Sequence, residues 1–355
     1  MSNVKIGVIG LGTISGLHLS SYAKNPHVEL RAVCDVNPER AKQVADQNQV
    51  EQYYTDYREL LSDPEIDGVS ICTWNDTHAE IAIAALNAGK HVLIEKPLCK
   101  TVEEALRIGE SVRQSGKIFQ MGFVRRFDEN AQTAKQFVDN GDLGEIYYAK
   151  ASCLRRLGNP GGWFADINRS GGGPLIDVGV HIIDLCWYLM GKPKVKSVNG
   201  AVHHKLGNRR NVKGLDFYKA ADYDTQLPNT IEDLAVALIR FENGSSLQVD
   251  ASFTLHAKKD EVCLKLFGDK GGMEIDPEFM IVSEKYDTIV NLQPQVNKPH
   301  IDVYSAFQNE IDHFIDCIQT GNTPISTVED GIEIMKILCA IYESGQQQRE
   351  IVFDS

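Results

Sequence analysis

Asp177, His181 and Asp184 are residue types that move protons, and they stand at i, i+4 and i+7 in an otherwise apolar run. The run reads Gly171-Gly172-Gly173-Pro174-Leu175-Ile176-Asp177-Val178-Gly179-Val180-His181-Ile182-Ile183-Asp184. With about 3.6 residues per helical turn, that spacing puts the three polar groups on one face. Proline has no N–H and suits the first position of a helix, so a helix is expected from Pro174 through Met190. Its remaining positions, Ile176, Val178, Val180, Ile182, Ile183, Leu185, Trp187 and Leu189, are apolar, so the helix is expected to be buried. Two carboxylates and an imidazole on a buried helix are costly unless hydrogen-bonded or functional. A lone buried histidine beside an aspartate is ordinary core; three such groups in register behind a glycine loop point to a site.

A second set of residues suits a nucleotide. Gly10-Leu11-Gly12-Thr13-Ile14-Ser15-Gly16 follows the apolar run Val4–Ile9 and leads into helical sequence near Leu17–Lys24. In a dinucleotide site the first glycine permits the turn and the second admits the pyrophosphate to the backbone, while the helix N-terminus offers N–H groups. Ser15 occupies the third glycine position of that fingerprint; it is small, and Gly16 adds room. Asp35 ends the next apolar run, where an acid binds ribose hydroxyls and repels a 2′-phosphate. NAD is therefore expected in preference to NADP, with Arg40 able to soften the preference. Thr73-Trp74-Asn75-Asp76-Thr77-His78 and Glu95-Lys96-Pro97 each close an apolar strand at its carboxyl end, the edge at which open α/β sheets bind ligands. Asp76 or Thr77 can also cap the helix expected from His78. An unpaired ammonium is seldom buried, which makes Lys96 a site residue rather than core, and Lys96-Pro97 is a candidate for a cis peptide.

These turns need a scaffold. Strand-like runs at Val4–Ile9, Leu30–Cys34, Gln52–Tyr54, Gly68–Cys72, His91–Ile94 and Lys117–Phe123 alternate with helical stretches at Leu17–Lys24, Pro38–Gln47, Ala79–Asn87 and Val102–Ser115. Uninterrupted apolar strands between helices mean a parallel sheet covered on both faces, so residues 1–123 are expected to form a doubly wound α/β domain. From Glu145 the texture changes to strands with few helices between them: Ile146–Leu154, Val195–His203, Ala235–Phe241, Ser246–Ser252, Val262–Phe267 and Met280–Ser283. Asn243-Gly244 marks a hairpin, and Asp269-Lys270-Gly271-Gly272 another turn. Residues 124–355 are expected to form an α+β domain with a mixed or antiparallel sheet, its opening helix on one face, closed by helices at Val303–Gln319 and Val328–Glu343. Lys205–Asn229 is polar and aperiodic, a long loop of the kind that forms functional lids or stays disordered.

The 355 residues suit two domains. Lys and Arg number 36 against 49 Asp and Glu, a net charge of −13, which speaks against a nucleic-acid or anionic-membrane surface. Eight cysteines are scattered without a C-x-x-C pair, as buried thiols in a reducing compartment would be, and no metal site is expected. No signal-peptide pattern or membrane-length apolar run is seen, so the cytoplasm is the expected location.

Gly10-x-Gly12, Asp35, Glu95-Lys96-Pro97, Phe123-Val124-Arg125-Arg126-Phe127-Asp128 and Asp177-x-x-x-His181-x-x-Asp184 together resemble the Gfo/Idh/MocA family of oxidoreductases. So does the tail from Phe307-Gln308-Asn309-Glu310 through Phe314 to Ser326-Thr327-Val328-Glu329-Asp330-Gly331. Within the family, the likeness is to inositol and sugar dehydrogenases, and it covers nearly the whole chain. The resemblance implies an N-terminal Rossmann domain and a C-terminal domain with a large open, mostly antiparallel sheet that mediates a homodimer or homotetramer. It implies NAD held by Gly10, Gly12, Thr13, Ile14, Asp35, Thr73, Asn75, His78, Glu95 and Lys96. A small cyclic polyol or sugar would meet Lys96, Arg126, Trp163, Asp177, His181 and Asp184.

Catalysis would fall to Lys96, Asp177 and His181, and chemistry supports these roles. Oxidising a secondary alcohol needs a base for the hydroxyl proton, and imidazole titrates near working pH. Asp177 would bind substrate and orient the imidazole; Lys96 would position the hydroxyl and stabilise developing negative charge. Specificity is expected in Arg155–Phe164 and the long loop. Trp163 could stack on a sugar ring, and Arg155, Arg156, Arg209 and Arg210 could read an acidic or nucleotide-linked sugar, unless they are solvated or form salt bridges. Two other readings attach to the same resemblance: a glycosidase using NAD redox chemistry, and a non-catalytic sugar-responsive regulator.

Overall fold

Apolar side chains on both faces of a strand call for a sheet covered on both sides, and in β1 (Val4–Ile9) the neighbours Val8 and Ile9, which point to opposite faces, are both buried. The computed structural model describes residues 3–353 except 210, 216, 221, 224–227 and 297–300. From β1 the chain continues through α1 (Ser15–Lys24), β2 (Val28–Cys34), α2 (Pro38–Asn48), β3 (Gln52–Tyr54), α3 (Tyr57–Ser62), β4 (Gly68–Ile71), α4 (His78–Asn87), β5 (His91–Glu95), α5 (Val102–Ser115) and β6 (Phe119–Gly122). Local chemistry sets several ends. Asn37 accepts from the N–H groups of Glu39 and Arg40 ahead of Pro38 at the start of α2, and Thr101 and Glu104 form a capping box on α5. The six strands pair in parallel in the order β3-β2-β1-β4-β5-β6. Strand order reverses between β1 and β4, and the carboxyl ends of all six strands lie along one edge.

The rest of the chain comprises α6 (Glu129–Asp139), β7 (Ile146–Leu154), α7 (Ile167–Ser170), α8 (Val180–Leu189), β8 (Val195–His203), β9 (Leu234–Phe241), β10 (Ser246–Ser252), β11 (Glu261–Gly268), β12 (Gly271–Asp276), β13 (Met280–Lys285), β14 (Thr288–Leu292), α9 (Val303–Thr320), α10 (Val328–Gln347) and β15 (Ile351–Val352). Nine strands form one sheet in the order β14-β13-β12-β11-β7-β10-β9-β8-β15. Every pair is antiparallel except β7 with β10, and α8 packs on β7, β10 and β11. The sheet is thus mostly antiparallel, as expected. Gly244 turns the β9–β10 hairpin at φ +88°. Gly271 and Gly272, expected in a turn, instead begin β12.

The chain divides into two compact units, one of residues up to Val124 with Val303–Met335, the other of Arg125–Asp302 with the residues from Lys336 on. Residues 303–335, placed by sequence with the second domain, therefore belong with the first. The reason is apolar burial. Ile311, Phe314 and Ile315 of α9 share one cluster with Val4, Ile6, Val8, Leu19 and Tyr22, each such side chain contributing about 1.5–3 kcal/mol over exposure. Asn25 Nδ2 also donates to Asp312 Oδ1 at 2.7 Å.

Candidate active site

In the first unit, the nucleotide-type residues collect along the carboxyl edge. Gly10 follows β1 at φ +87°, and a Cβ there would stand 2.7 Å from the Cys72 carbonyl and 2.8 Å from Thr73 Cγ2, so the turn after β1 closes against the turn after β4. Gly12 is exposed, and a Cβ on it would meet nothing within 4 Å. Thr13 is exposed as well, and Ile14 is partly buried just ahead of α1. Asp35, at the end of β2, is buried and accepts from Leu11 N at 2.9 Å and Asn37 N at 2.8 Å, with Arg40 Nη1 3.4 Å away. Its carboxylate ties the glycine turn to the end of β2. Thr73 is partly exposed and its Oγ1 accepts from Thr77 Oγ1 at 2.8 Å, whereas Asn75 is buried.

Two residues expected to touch cofactor turn out to brace the edge. His78 is fully buried, with Nδ1 2.8 Å from the Pro97 carbonyl oxygen and Nε2 3.2 Å from that of Thr73. Burial holds its pKa below the ordinary histidine range, although both carbonyls favour the charged form. It thereby links the turn after β4 to the turn after β5, where Lys96-Pro97 is cis. Glu95 points inward: its Oε1 lies 2.9 Å from His18 Nε2, and its Oε2 accepts from Lys96 N at 3.2 Å. His18 Nδ1 in turn lies 3.2 Å from Ser70 Oγ, itself 2.7 Å from the Tyr22 hydroxyl. Lys96 remains partly exposed at the end of this buried chain.

In the second unit, the Gly171–Asp184 segment begins not as an α-helix but as a π turn over Leu175–Gly179, followed by α8. Such turns recur at functional sites. From Leu175 to Leu189 every residue is buried except Asp177, His181 and Tyr188. Asp177 and His181 are thus partly open, whereas Asp184 is enclosed. Asp184 is 1% exposed and accepts two hydrogen bonds from Arg126, also 1% exposed. The pair engages both carboxylate oxygens of Asp184, and neither side chain is open to substrate as expected from the sequence.

Trp163 is partly exposed, packs on the Phe164 ring at 4.0 Å between centroids, and donates its main-chain N–H to Asp222 Oδ2 at 3.0 Å. Of the arginines read as sugar-recognising, Arg156 and Arg209 do structural work. Arg156 pairs with Asp260 at 3.2 Å, and Arg209 Nη1 donates to the carbonyls of Arg156 at 2.7 Å and Leu255 at 3.0 Å. Arg210 lies outside the described residues. The described part of the long loop is anchored: Asp233 accepts from Leu206 N at 2.5 Å and Gly207 N at 2.8 Å, and Asn159 Nδ2 donates to Asn208 and Asn229.

Sequence reasoning missed Glu232, which is 2% exposed and accepts from Gly173 N at 2.9 Å, Leu175 N at 3.2 Å and the Tyr342 hydroxyl at 2.8 Å. No spacing signal marks it, since 57 residues separate it from Leu175. Among the described residues no helix is long and apolar enough to cross a membrane, and none of the eight cysteines forms a disulfide.

A glycine turn at the switch point of a parallel sheet, with an acid ending the second strand, defines a dinucleotide-binding oxidoreductase unit. The family model for the NAD-binding Rossmann fold of one oxidoreductase family matches residues 4–123, and the model for its C-terminal alpha/beta domain matches residues 135–353. The chain belongs to this family, the Gfo/Idh/MocA oxidoreductases. D-glucoside 3-dehydrogenase of Escherichia coli (strain K12) is 32% identical over 350 residues, 97% of this chain and 96% of that protein. scyllo-Inositol 2-dehydrogenase (NAD(+)) of Bacillus subtilis (strain 168) is 31% identical over 359 residues, 99% of this chain and 96% of that protein. The solved structure of levoglucosan dehydrogenase in complex with NADH and L-sorbose superposes with a TM-score of 0.86 at 25% identity, covering 99% of each chain.

Proposed function

We propose that this oxidoreductase oxidises a secondary hydroxyl of a cyclic polyol or sugar, an inositol or a pyranose, with NAD preferred over NADP. The reading is carried by Asp177 and His181, the adjacent-turn polar residues left partly open on an otherwise buried helix start. The relatives named for a glucoside and an inositol support the substrate class.

His181 takes the hydroxyl proton as general base, a role suited to an imidazole whose ordinary pKa is about 6.5. Asp177 hydrogen-bonds substrate and orients the imidazole. Lys96 positions the hydroxyl and stabilises the negative charge that develops as its proton leaves. Bound NAD supplies the hydride acceptor. Gly10, Gly12, Thr13 and Ile14 hold its pyrophosphate, a role supported by the open space over Gly12. The buried carboxylate of Asp35 supports the preference for NAD, since a 2′-phosphate would meet like charge that Arg40 offsets only in part. In this reading the first unit holds cofactor, and the second holds substrate and the subunit contacts of a homodimer or homotetramer.

NADH absorbance over a panel of inositols, aldoses, and methyl and aryl glycosides, run separately with NAD and NADP, tests the proposal. Reduction by at least one cyclic polyol or pyranose, faster with NAD, is expected. A flat trace across the panel, or aglycone release without net NADH, contradicts it.

A further inference from the structure

Helix starts leave N–H groups with no intrahelical acceptor. At the start of the segment carrying Asp177 and His181, Pro174 has no N–H, and its neighbours Gly173 and Leu175 both donate to Glu232, at 2.9 and 3.2 Å. The next two N–H groups, of Ile176 and Asp177, share the Gly173 carbonyl at 3.0 Å each, and Val180 N reaches back to Leu175 O, the five-residue step of a π turn. One carboxylate therefore completes the donor set at the place where the regular helical ladder is broken.

A carboxylate this buried needs several donors, and Glu232 has a third in the Tyr342 hydroxyl at 2.8 Å. Burial first, and then Glu232 itself, raises the Tyr342 phenol well above the ordinary tyrosine range, so it stays a donor. The fit leaves no spare space. A Cβ on Gly172 would lie 2.0 Å from the Tyr342 hydroxyl, and one on Gly173 would lie 2.8 Å from the Glu232 carbonyl oxygen. This explains two glycines of the triplet that no turn geometry demands. A π turn is a sparse local conformation that persists where its surroundings over-determine it.

We propose that Glu232, backed by Tyr342, is a positioning residue for proton transfer: it pins the π turn that carries Asp177 and leads into α8, where His181 stands. The inference rests on the reading of His181 as general base. Glu232 touches neither substrate nor cofactor; it acts through the main chain of Gly173 and Leu175.

The test is steady-state kinetics on the full chain with saturating NAD and whichever panel compound it oxidises. Glu232→Gln, Tyr342→Phe and His181→Ala are compared, with rates normalised to the fraction of protein that binds NAD. Glu232→Gln turns an NH2 group toward one of two N–H donors and is expected to lower kcat by up to about 10²-fold, with KM within about twofold. Amide exchange at Gly173 and Leu175 should quicken in parallel. Tyr342→Phe keeps the carboxylate and should lower kcat by about tenfold or less, again at constant KM; it decides the matter if Glu232→Gln does not fold. Wild-type normalised kcat in these variants, or a rise in KM alone, overturns the proposal. If His181→Ala is inactive while Glu232→Gln is normal, only the positioning role fails. If His181→Ala is fully active while Glu232→Gln is impaired, the base assignment fails and the anchor acts through Asp177.

Discussion

Arg126 and Asp184 meet as a bidentate pair, Nε to Oδ2 at 3.0 Å and Nη2 to Oδ1 at 2.6 Å, with side chains 0% and 1% exposed. The Tyr188 ring lies 4.6 Å from the Arg126 guanidinium carbon. Two charges this far from water are tolerated because they pair, and removing one leaves the other without its counter-charge. Asp184→Asn and Arg126→Leu are expected to lose about 3–5 kcal/mol of stability, read as a lower urea midpoint. Unchanged stability with a raised KM would instead return the pair to the substrate.

Gly10 and Gly12 should respond differently to the same substitution. Gly10→Ala forces a positive φ on alanine and drives its methyl into the Cys72 carbonyl, so it should lower the unfolding midpoint. Gly12→Ala meets open space and should fold as the wild type does, yet bind NAD more weakly because the methyl stands where the pyrophosphate approaches. Calorimetric titration with NAD beside thermal melts separates the two. Full NAD affinity in Gly12→Ala would contradict the proposed cradle.

His91 makes stability depend on pH. Its Nδ1 accepts the Ile118 N–H at 2.9 Å, and burial, followed by the charge of Lys117, lowers its pKa to about 4 from an ordinary 6.5. Between those values the unfolded chain binds a proton that the folded chain does not. The His91 contribution is therefore complete above about pH 6.5 and shrinks as pH falls toward 4. Melting temperature should fall more steeply over that window in the wild type than in His91→Asn, whose Oδ1 can accept the same N–H without titrating. Parallel curves would show that other groups dominate.

The first sheet was readable because its inner strands β4 and β5 and the ends of β1 and β2 are short apolar runs between helices, a signal that local sequence carries. β12 escaped because Gly271-Gly272-Met273-Glu274 lacks such a run, and α6 because its buried apolar residues are the small Ala131 and Ala134. The amphipathic face of α9 was plain, but periodicity says nothing about which unit covers it. At the site, periodicity placed Asp177 and His181 together but could not separate them from Asp184. That depends on Arg126, 58 residues away. Glu232, His18 and Ser70 were invisible for the same reason: their partners are set by tertiary folding, not by spacing.

His181→Ala tests the proposed chemistry most directly, with kcat measured on the best panel compound and NAD affinity measured alongside. Loss of the base should lower kcat by about 10²–10⁴-fold and leave NAD binding as in the wild type. Turnover at the wild-type rate would contradict the assignment of His181 as the base.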